Sequence, residues 1–308
     1  MKKRVPRVSI GLPVHNGELF LARTLDSLLN QTFREIEVII SDNASTDATQ
    51  EICESFAARD PRIEYIRQER NLGASANYNV VARRSHGEYF KWAAHDDLCE
   101  PTLVERCVDL LDKNKDAVVA YPRSVLISDA DDIVEPVTED MSLPWNTASR
   151  RLRHFLWNTS LCHPVFGLIR ADALARTGLI GPFHSADVIV LIQLLLQGKF
   201  IEHPEPLFLR RMHTGTSLWN KSDADVIVWY DTSASRKHAP ALRYTTLFAA
   251  AMSSVLKSPI PLWDKPICWM ILARAYATRR REIAGELVRA TRGIVRKREP
   301  RTPAPDVG

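Results

Sequence analysis

Cysteine and glycine are both scarce, with five cysteines and 12 glycines in 308 residues. Cys53, Cys99, Cys107, Cys162 and Cys268 show no CxxC or zinc-ligand spacing. The sequence therefore encodes neither a disulfide framework nor a zinc module, and reduced thiols in the cytoplasm are the expectation. No apolar run reaches the roughly 20 uninterrupted residues of a spanning helix. The basic opening MKKRVPRVSIGLPV is broken by Gly11 and Pro13 and lacks the length of a signal peptide. Internal repeats are absent, and no nucleic-acid recognition motif accompanies the net charge of +4, so nucleic acid is not the expected partner. What is present is the balance of an ordinary globular chain, 45 % hydrophobic and 25 % charged.

The first part of the chain alternates two periods. VSIGLPV, IEVIISDN, RIEYIRQ, EYFKWAAH and AVVAYPRSVLIS read as strands. Between them, ELFLARTLDSLLNQT, STDATQEICESFAARD, ASANYNVVARRS and PTLVERCVDLLDKN read as helices. The first helix places Leu19, Ala22, Leu25, Leu28 and Leu29 on one face, the second offers Ser45 or Thr46 as its cap, and the last starts on proline. Such alternation predicts an α/β fold with a Rossmann-like, mostly parallel sheet covered by helices on both faces. Ligands of these sheets sit outside the carboxyl ends of the strands. Here those ends read PVHN, SDNAST, RNLG and HDD. After LFLRRMHTGTS the alternation stops. This gives a catalytic domain over 1–217, a helical extension over 218–300 and a disordered tail over 301–308.

Asp96 and Asp97 end the apolar run YFKWAAHDD. Two adjacent carboxylates repel each other and lose hydration when buried, so something must offset them. Either they cap the helix that follows Pro101, or they face a divalent, oxygen-seeking cation and a diphosphate. The more literal D-x-D pattern, DADD at Asp129–Asp132, lies between two short β-like runs and is expected to be a plain solvated turn.

Taken together, P-V-x-N, SDNASTDAT, RNLGAS, GEY and DD resemble the inverting family 2 glycosyltransferases with the GT-A fold. The resemblance is dense over about the first 120 residues and looser to Ser217. It implies a nucleoside-diphosphate-sugar donor, a hydroxyl acceptor (polysaccharide, glycolipid or protein) and a divalent cation, Mn2+ or Mg2+. Pro13, Val14 and Asn16 would line the base and ribose, and Asp42 would accept a hydrogen bond from the base. Asn71 and Asn79 would lie beside the nucleotide, with Gly73 either there or forming a helix-entry turn. His95 would approach the nucleotide, Asp96 would contact ribose or metal, and Asp97 would be a direct metal ligand. HSADVIVLIQLLLQGKF supplies Asp187 as the base that deprotonates the acceptor, or as an N-cap. LRRMHTGTS supplies Arg211 for the diphosphate and His213 for the metal. The chain departs from the family pattern at Ala94 and Ala186, where acidic residues are usual, and at Arg210, where tyrosine is usual. The alternatives are a non-catalytic nucleotide- or sugar-binding module of the same fold and a sugar nucleotidyltransferase. Members of the latter class open with a Gly-rich, Arg-containing loop that GLPVHNGE does not supply.

Arginine is dense in RRREIAGELVRATRGIVRKREPR, which follows an apolar segment containing Trp263, Trp269, Ile271, Leu272 and Tyr276. Three expectations follow: helices packed on the catalytic domain, a homodimer contact through those helices, or attachment to an anionic membrane surface. The expected location is cytoplasmic, with peripheral contact on the inner membrane face as its variant.

Overall fold

The computed structural model describes residues 5–138, 141–158, 162–213, 223–233 and 242–288. A single nine-stranded sheet organises them, with strand order β3-β2-β1-β4-β8-β6-β9-β5 and β7 paired to β6. The first half is a parallel α/β unit: β1 (Val8–Val14), α1 (Leu21–Leu29), β2 (Ile36–Asp42), α2 (Thr49–Arg59), β3 (Ile63–Arg67), α3 (Ala74–Arg83) and β4 (Tyr89–Trp92). A two-residue β5 (Leu98–Cys99), α4 (Leu103–Lys113), β6 (Ala117–Ile127) and β7 (Ile133–Pro136) follow. Then come α5 (Ala148–Asn158), β8 (Leu168–Arg170), the short α6 (Ala171–Ala175), α7 (Ala186–Leu195) and β9 (Lys199–Arg211). Parallel ladders carry most of the paired residues, and β5, β7 and β8 run antiparallel to their neighbours.

Period-two alternation divides the core between the two faces of the sheet. Val38 and Ile40 of β2 and Tyr89 of β4 point into a cluster with Leu21, Leu25, Leu28, Phe56, Leu103 and Leu111, under α1, α2 and α4. Ile39, Phe90 and Trp92 point the other way, into a cluster with Val81, Leu152, Phe155 and Ile192, under α3, α5 and α7. All seven residues of β1 are buried, as a central parallel strand covered on both faces requires.

Three local details depart from expectation. α1 begins at Leu21, so Leu19 stays 74 % exposed rather than joining the apolar face. Neither Ser45 nor Thr46 caps α2, because both are taken by the end of β1. The Ser45 hydroxyl accepts the Asn16 N–H at 2.9 Å, and the Thr46 N–H donates to Asn16 Oδ1 at 2.9 Å. Asp96 and Asp97 do not cap α4, since β5 and Pro101 intervene and Thr102 is the residue before that helix.

The C-terminal helices α8 (Asp223–Tyr230), α9 (Arg243–Lys257) and α10 (Asp264–Ala277) pack against α3, α7 and α5 respectively. Leu247, Ala251, Val255, Cys268 and Leu272 belong to the same buried cluster as Val119 and Phe200 of the sheet. These helices therefore complete the core of the α/β unit. Ser217, the expected boundary, and the expected tail 301–308 lie outside the described residues. Gly73 is the residue before α3, with φ +85° and ψ 158°, a conformation that side chains resist. A Cβ there would sit 2.5 Å from the Tyr230 carbonyl oxygen, so this glycine is what lets α8 close onto the α3 entry. Of the two expectations for Gly73, the helix-entry turn is what the structure displays.

Candidate active site

The ends of β1, β2 and β4 and the start of α3 meet along one rim of the sheet. Pro13 and Val14 are buried at the end of β1, and Asn16 follows with φ 54°. Asp42 ends β2 fully buried. Its Oδ2 accepts from Arg67 Nη1 at 2.5 Å and from the Tyr65 hydroxyl at 3.0 Å, and its Oδ1 accepts the Ser45 N–H at 2.8 Å. A carboxylate has about four lone-pair sites, so these three donors leave room for one more. Asn71 Oδ1 accepts from Asn43 Nδ2 and from the Gly73 N–H, each at 2.9 Å, which fixes the turn before α3. Asn79 sits apart from this rim. Its amide oxygen accepts the Ile180 N–H at 3.0 Å and its amide nitrogen donates to the Ile180 carbonyl at 2.9 Å, so both ends meet the backbone of one residue. Asn79 therefore brackets α3 to the segment leading into α7, which differs from a place beside the nucleotide.

The segment after β4 is held from beneath. The Thr24 hydroxyl of α1 lies 2.9 Å from the carbonyl oxygens of both His95 and Asp97. Burial keeps the His95 imidazole below its ordinary value, against the pull of Asp96. That ring packs on Gly17, where a Cβ would approach it to 2.8 Å. Asp96 Oδ2 lies 3.0 Å from His213 Nε2. Asp97 turns inward, is 6 % exposed, and its Oδ1 accepts the Arg211 N–H at 2.9 Å. The expected metal pair was Asp97 with His213, but the structure sets His213 against Asp96 because the Arg211 amide holds Asp97 below.

Burial, and then the neighbouring Asp96 charge, push the Asp97 carboxyl up to about 7. An unfolded aspartate ionises at about 3.9, so the folded protein keeps a proton the unfolded chain has lost. Stability is therefore expected to fall as pH rises between those two values. The cost is complete above about 7 and absent below about 4. Melting temperatures of the ligand-free protein between pH 5 and 8 should decline more steeply for wild type than for Asp97→Asn. Equal slopes would remove Asp97 as the cause.

Arg211 is 1 % exposed and its donors are used inside the protein. Nε donates to the Asp96 carbonyl at 2.8 Å, Nη1 to the Ser128 carbonyl at 2.6 Å, and Nη2 forms an ion pair with Asp131 Oδ1. The guanidinium also stacks over the Phe20 ring at 4.6 Å. It is thus a structural clamp, which corrects the expectation that it faces the diphosphate. The expectation for DADD is corrected with it. Asp131 also pairs with Arg23 at 2.8 Å, so this turn is docked onto α1 and β9 rather than plainly solvated. Burial opposes ionisation of Asp131, but the hydrogen bonds from Arg211 and Arg23 outweigh it and hold the carboxyl below its ordinary value.

On the other side of the rim, Asp187 stands in the first turn of α7, after Ser185 in a left-handed conformation. Burial raises its carboxyl, against backbone N–H groups at the helix start. Three residues that the sequence did not single out collect around it. The Tyr78 phenol is pushed up by burial and then by the charges of Asp96, Asp97 and Asp187. Tyr230 is raised by burial and then by Asp187. Arg210, next to the clamp, favours the ionised forms of both Asp97 and Asp187. Adjacent strand residues point to opposite faces, so the Arg210 side chain leaves β9 on the side away from that of Arg211. No sequence signal marks Tyr78 or Tyr230. Arg210 was visible only as a departure from the family tyrosine.

No group of three or more His, Cys, Asp and Glu side chains able to hold a metal occurs among the described residues. The Asp96–His213 pair still fits a divalent cation. It offers one carboxylate oxygen and one imidazole nitrogen at a common point, and cations on nucleotide diphosphates take few protein ligands, keeping phosphate oxygens and waters.

Residues 9–178 match the family model "Glycosyl transferase family 2". Among curated proteins the chain is 38 % identical over 119 residues to an Escherichia coli chondroitin synthase, a match covering 39 % of this chain and 17 % of that one. It is 36 % identical over 116 residues to an uncharacterized glycosyltransferase of Rickettsia typhi, covering 37 % of this chain and 35 % of that one. The chain thus spans little more than a third, or less, of the curated relatives it matches. Among solved structures, S. aureus TarS 1–349 in complex with UDP-GlcNAc superposes with a TM-score of 0.65 at 18 % identity, over 88 % of this chain and 73 % of that one. A mannosyltransferase from Pyrobaculum calidifontis in complex with GDP-Man and Mn2+ gives a TM-score of 0.53 at 16 % identity, over 96 % and 82 %. At these identities the superpositions establish a common fold, the one the strand and helix pattern implied. More than half of the chain matches one family model, and the chain belongs to glycosyl transferase family 2.

Proposed function

We propose that the protein moves one sugar from a nucleoside-diphosphate-sugar donor to a hydroxyl acceptor with inversion at the anomeric carbon. The observation that carries this reading is the Asp96 carboxylate paired with His213 at 3.0 Å beyond the end of β4, in a chain whose residues 9–178 match the family model. Asp42 and the Pro13–Asn16 segment would hold the base and ribose, the Asp42 carboxylate keeping one acceptor position beyond those used by Ser45, Tyr65 and Arg67. Arg210 supplies the positive side chain nearest the diphosphate. Asp187, its carboxyl made more basic by burial, takes the acceptor proton as the hydroxyl oxygen bonds to the anomeric carbon and the carbon–diphosphate bond breaks on the opposite face. One base and one displacement suffice, and a single displacement inverts the centre. A divalent cation, Mn2+ or Mg2+, held by Asp96 and His213 would neutralise charge on the departing diphosphate. The two structural neighbours, one in complex with UDP-GlcNAc and one with GDP-Man and Mn2+, support a nucleotide-sugar donor and a metal for this fold.

A thermal-shift panel of UDP, GDP, UDP-GlcNAc and GDP-Man, each with and without Mn2+, tests the reading. Ligand at a hundred times its dissociation constant stabilises by about 2.7 kcal/mol, so the true donor class should raise the melting temperature by several degrees, and more with Mn2+. A flat panel would remove both the donor and the metal from the proposal.

A further inference from the structure

Helix α10 has two apolar faces. Cys268 and Leu272 are fully buried, and Asp264, 1 % exposed, accepts the Ser149 N–H of α5 at 3.1 Å, tying the two helices together. The fold uses that face. A separate stripe carries Trp263, Ile267 and Met270 at steps of four and three residues, and these stand 61 %, 37 % and 63 % exposed. Leu262, just before the helix, is 81 % exposed, and Trp157 near the end of α5 is 53 % exposed. A helix with apolar residues on both sides is normally buried on both, and clustered exposed apolar side chains mark an interaction surface.

Between α5 and α10 runs an open groove of about 660 Å3 whose lining includes Arg150, Arg153, Arg274, Trp157 and Met270 and contains no Asp or Glu. None of the three arginines forms a hydrogen bond or ion pair among the described residues. Aromatic and long apolar side chains beside uncompensated guanidinium groups match the boundary between lipid headgroups and acyl chains. A second copy meeting this face about a two-fold axis would set the arginines against their own duplicates, with no lining carboxylate to relieve them.

We propose that the α5–α10 face docks the protein on an anionic phospholipid bilayer, with Arg150, Arg153 and Arg274 on lipid phosphates and Trp157, Leu262, Trp263 and Met270 at the acyl boundary. Of the residues the sequence suggested, Trp263 is kept, Leu272 is buried, and Trp269, Ile271 and Tyr276 pack against the core. No helix among the described residues is long and apolar enough to cross a membrane, and the contact proposed is superficial. It holds whether or not the transfer reading does, because vesicle binding requires no donor.

Flotation of the full chain with phosphatidylcholine vesicles, and with phosphatidylcholine mixed with phosphatidylglycerol, tests it. Wild type should float only with the anionic vesicles, and less as salt rises. At roughly tenfold or less per surface arginine, Arg150→Glu, Arg153→Glu and Arg274→Glu together should lower the partition coefficient by about a hundred-fold or more. A second full-chain variant, Trp157→Ser, Trp263→Ser and Met270→Ser, should also lose binding with its charge intact. A third, with the arginines of 289–301 changed to Gln, should keep most of it. Three results would overturn the proposal: equal flotation with neutral vesicles, no flotation of wild type, or binding lost only in the third variant. So would a concentration-dependent dimer, seen by sedimentation, that the glutamate variant abolishes.

Discussion

Asp187→Asn is expected to lower nucleoside-diphosphate release in the presence of a hydroxyl acceptor by about 10²–10⁴-fold, the range that a positioned general base contributes. The amide keeps the size and the helix-start position of the carboxylate but cannot take a proton. Asp187 stands at the first turn of α7, where backbone N–H groups hold its carboxylate, and burial raises its basicity. The substitution should therefore leave nucleotide binding within a few-fold, which the thermal-shift panel reads directly. A loss of turnover with binding intact assigns the base. Turnover within tenfold of wild type would exclude Asp187 from proton transfer, and absence of turnover in both proteins would favour a non-catalytic binding module.

The second large effect concerns two adjacent arginines with opposite duties. Arg211→Ala removes one of the two cationic partners of Asp131, leaving Arg23, and takes the side-chain donor from the Asp96 carbonyl and one of two donors from the Ser128 carbonyl. Hydrogen bonds made by a charged group contribute about 1.5–3 kcal/mol each, so losing the two to backbone carbonyls costs about 3–6 kcal/mol. At roughly 2–4 °C per kcal/mol for a chain of this size class, the melting temperature should drop by about 10 °C. Arg210→Ala should behave differently. Loss of a charge-assisted contact to the diphosphate, about 1.5–3 kcal/mol, corresponds to roughly ten- to a hundred-fold in donor affinity or turnover. Its melting temperature in the absence of nucleotide should change by a few degrees at most. If instead Arg211→Ala is stable and inactive while Arg210→Ala is unaffected, the two assignments are reversed.

Why the arginines could not be sorted from the sequence is a matter of phase. In a strand, neighbours point to opposite faces, so LRRMH shows that one arginine turns inward and the other away. Which one depends on how β9 lies against β6 and on the Asp131 turn reaching back to meet it, contacts between segments some 80 residues apart. The same limit applies to Asp96 and Asp97. Both were legible as a carboxylate pair at a strand end, yet the Arg211 amide pulls one inward while His213 meets the other. Asn79 repeats the lesson on α3, where both ends of its amide meet the Ile180 backbone.

What the amino-acid order determined alone was local and periodic. The alternation of strand and helix, the burial of β1 and β2 on both faces, and the gathering of polar residues at the strand ends all follow from residue spacing within a dozen positions. What only the tertiary structure decided was the duty of each polar side chain: Arg211 and Asn79 as internal braces, Asp131 as a docked ion, Asp97 turned inward, and a second apolar stripe on α10 left facing outward. Hydrophobic burial depends on period and is written along the chain. Hydrogen bonds and ion pairs depend on which distant atoms arrive within about 3 Å, and that is fixed only when the elements pack.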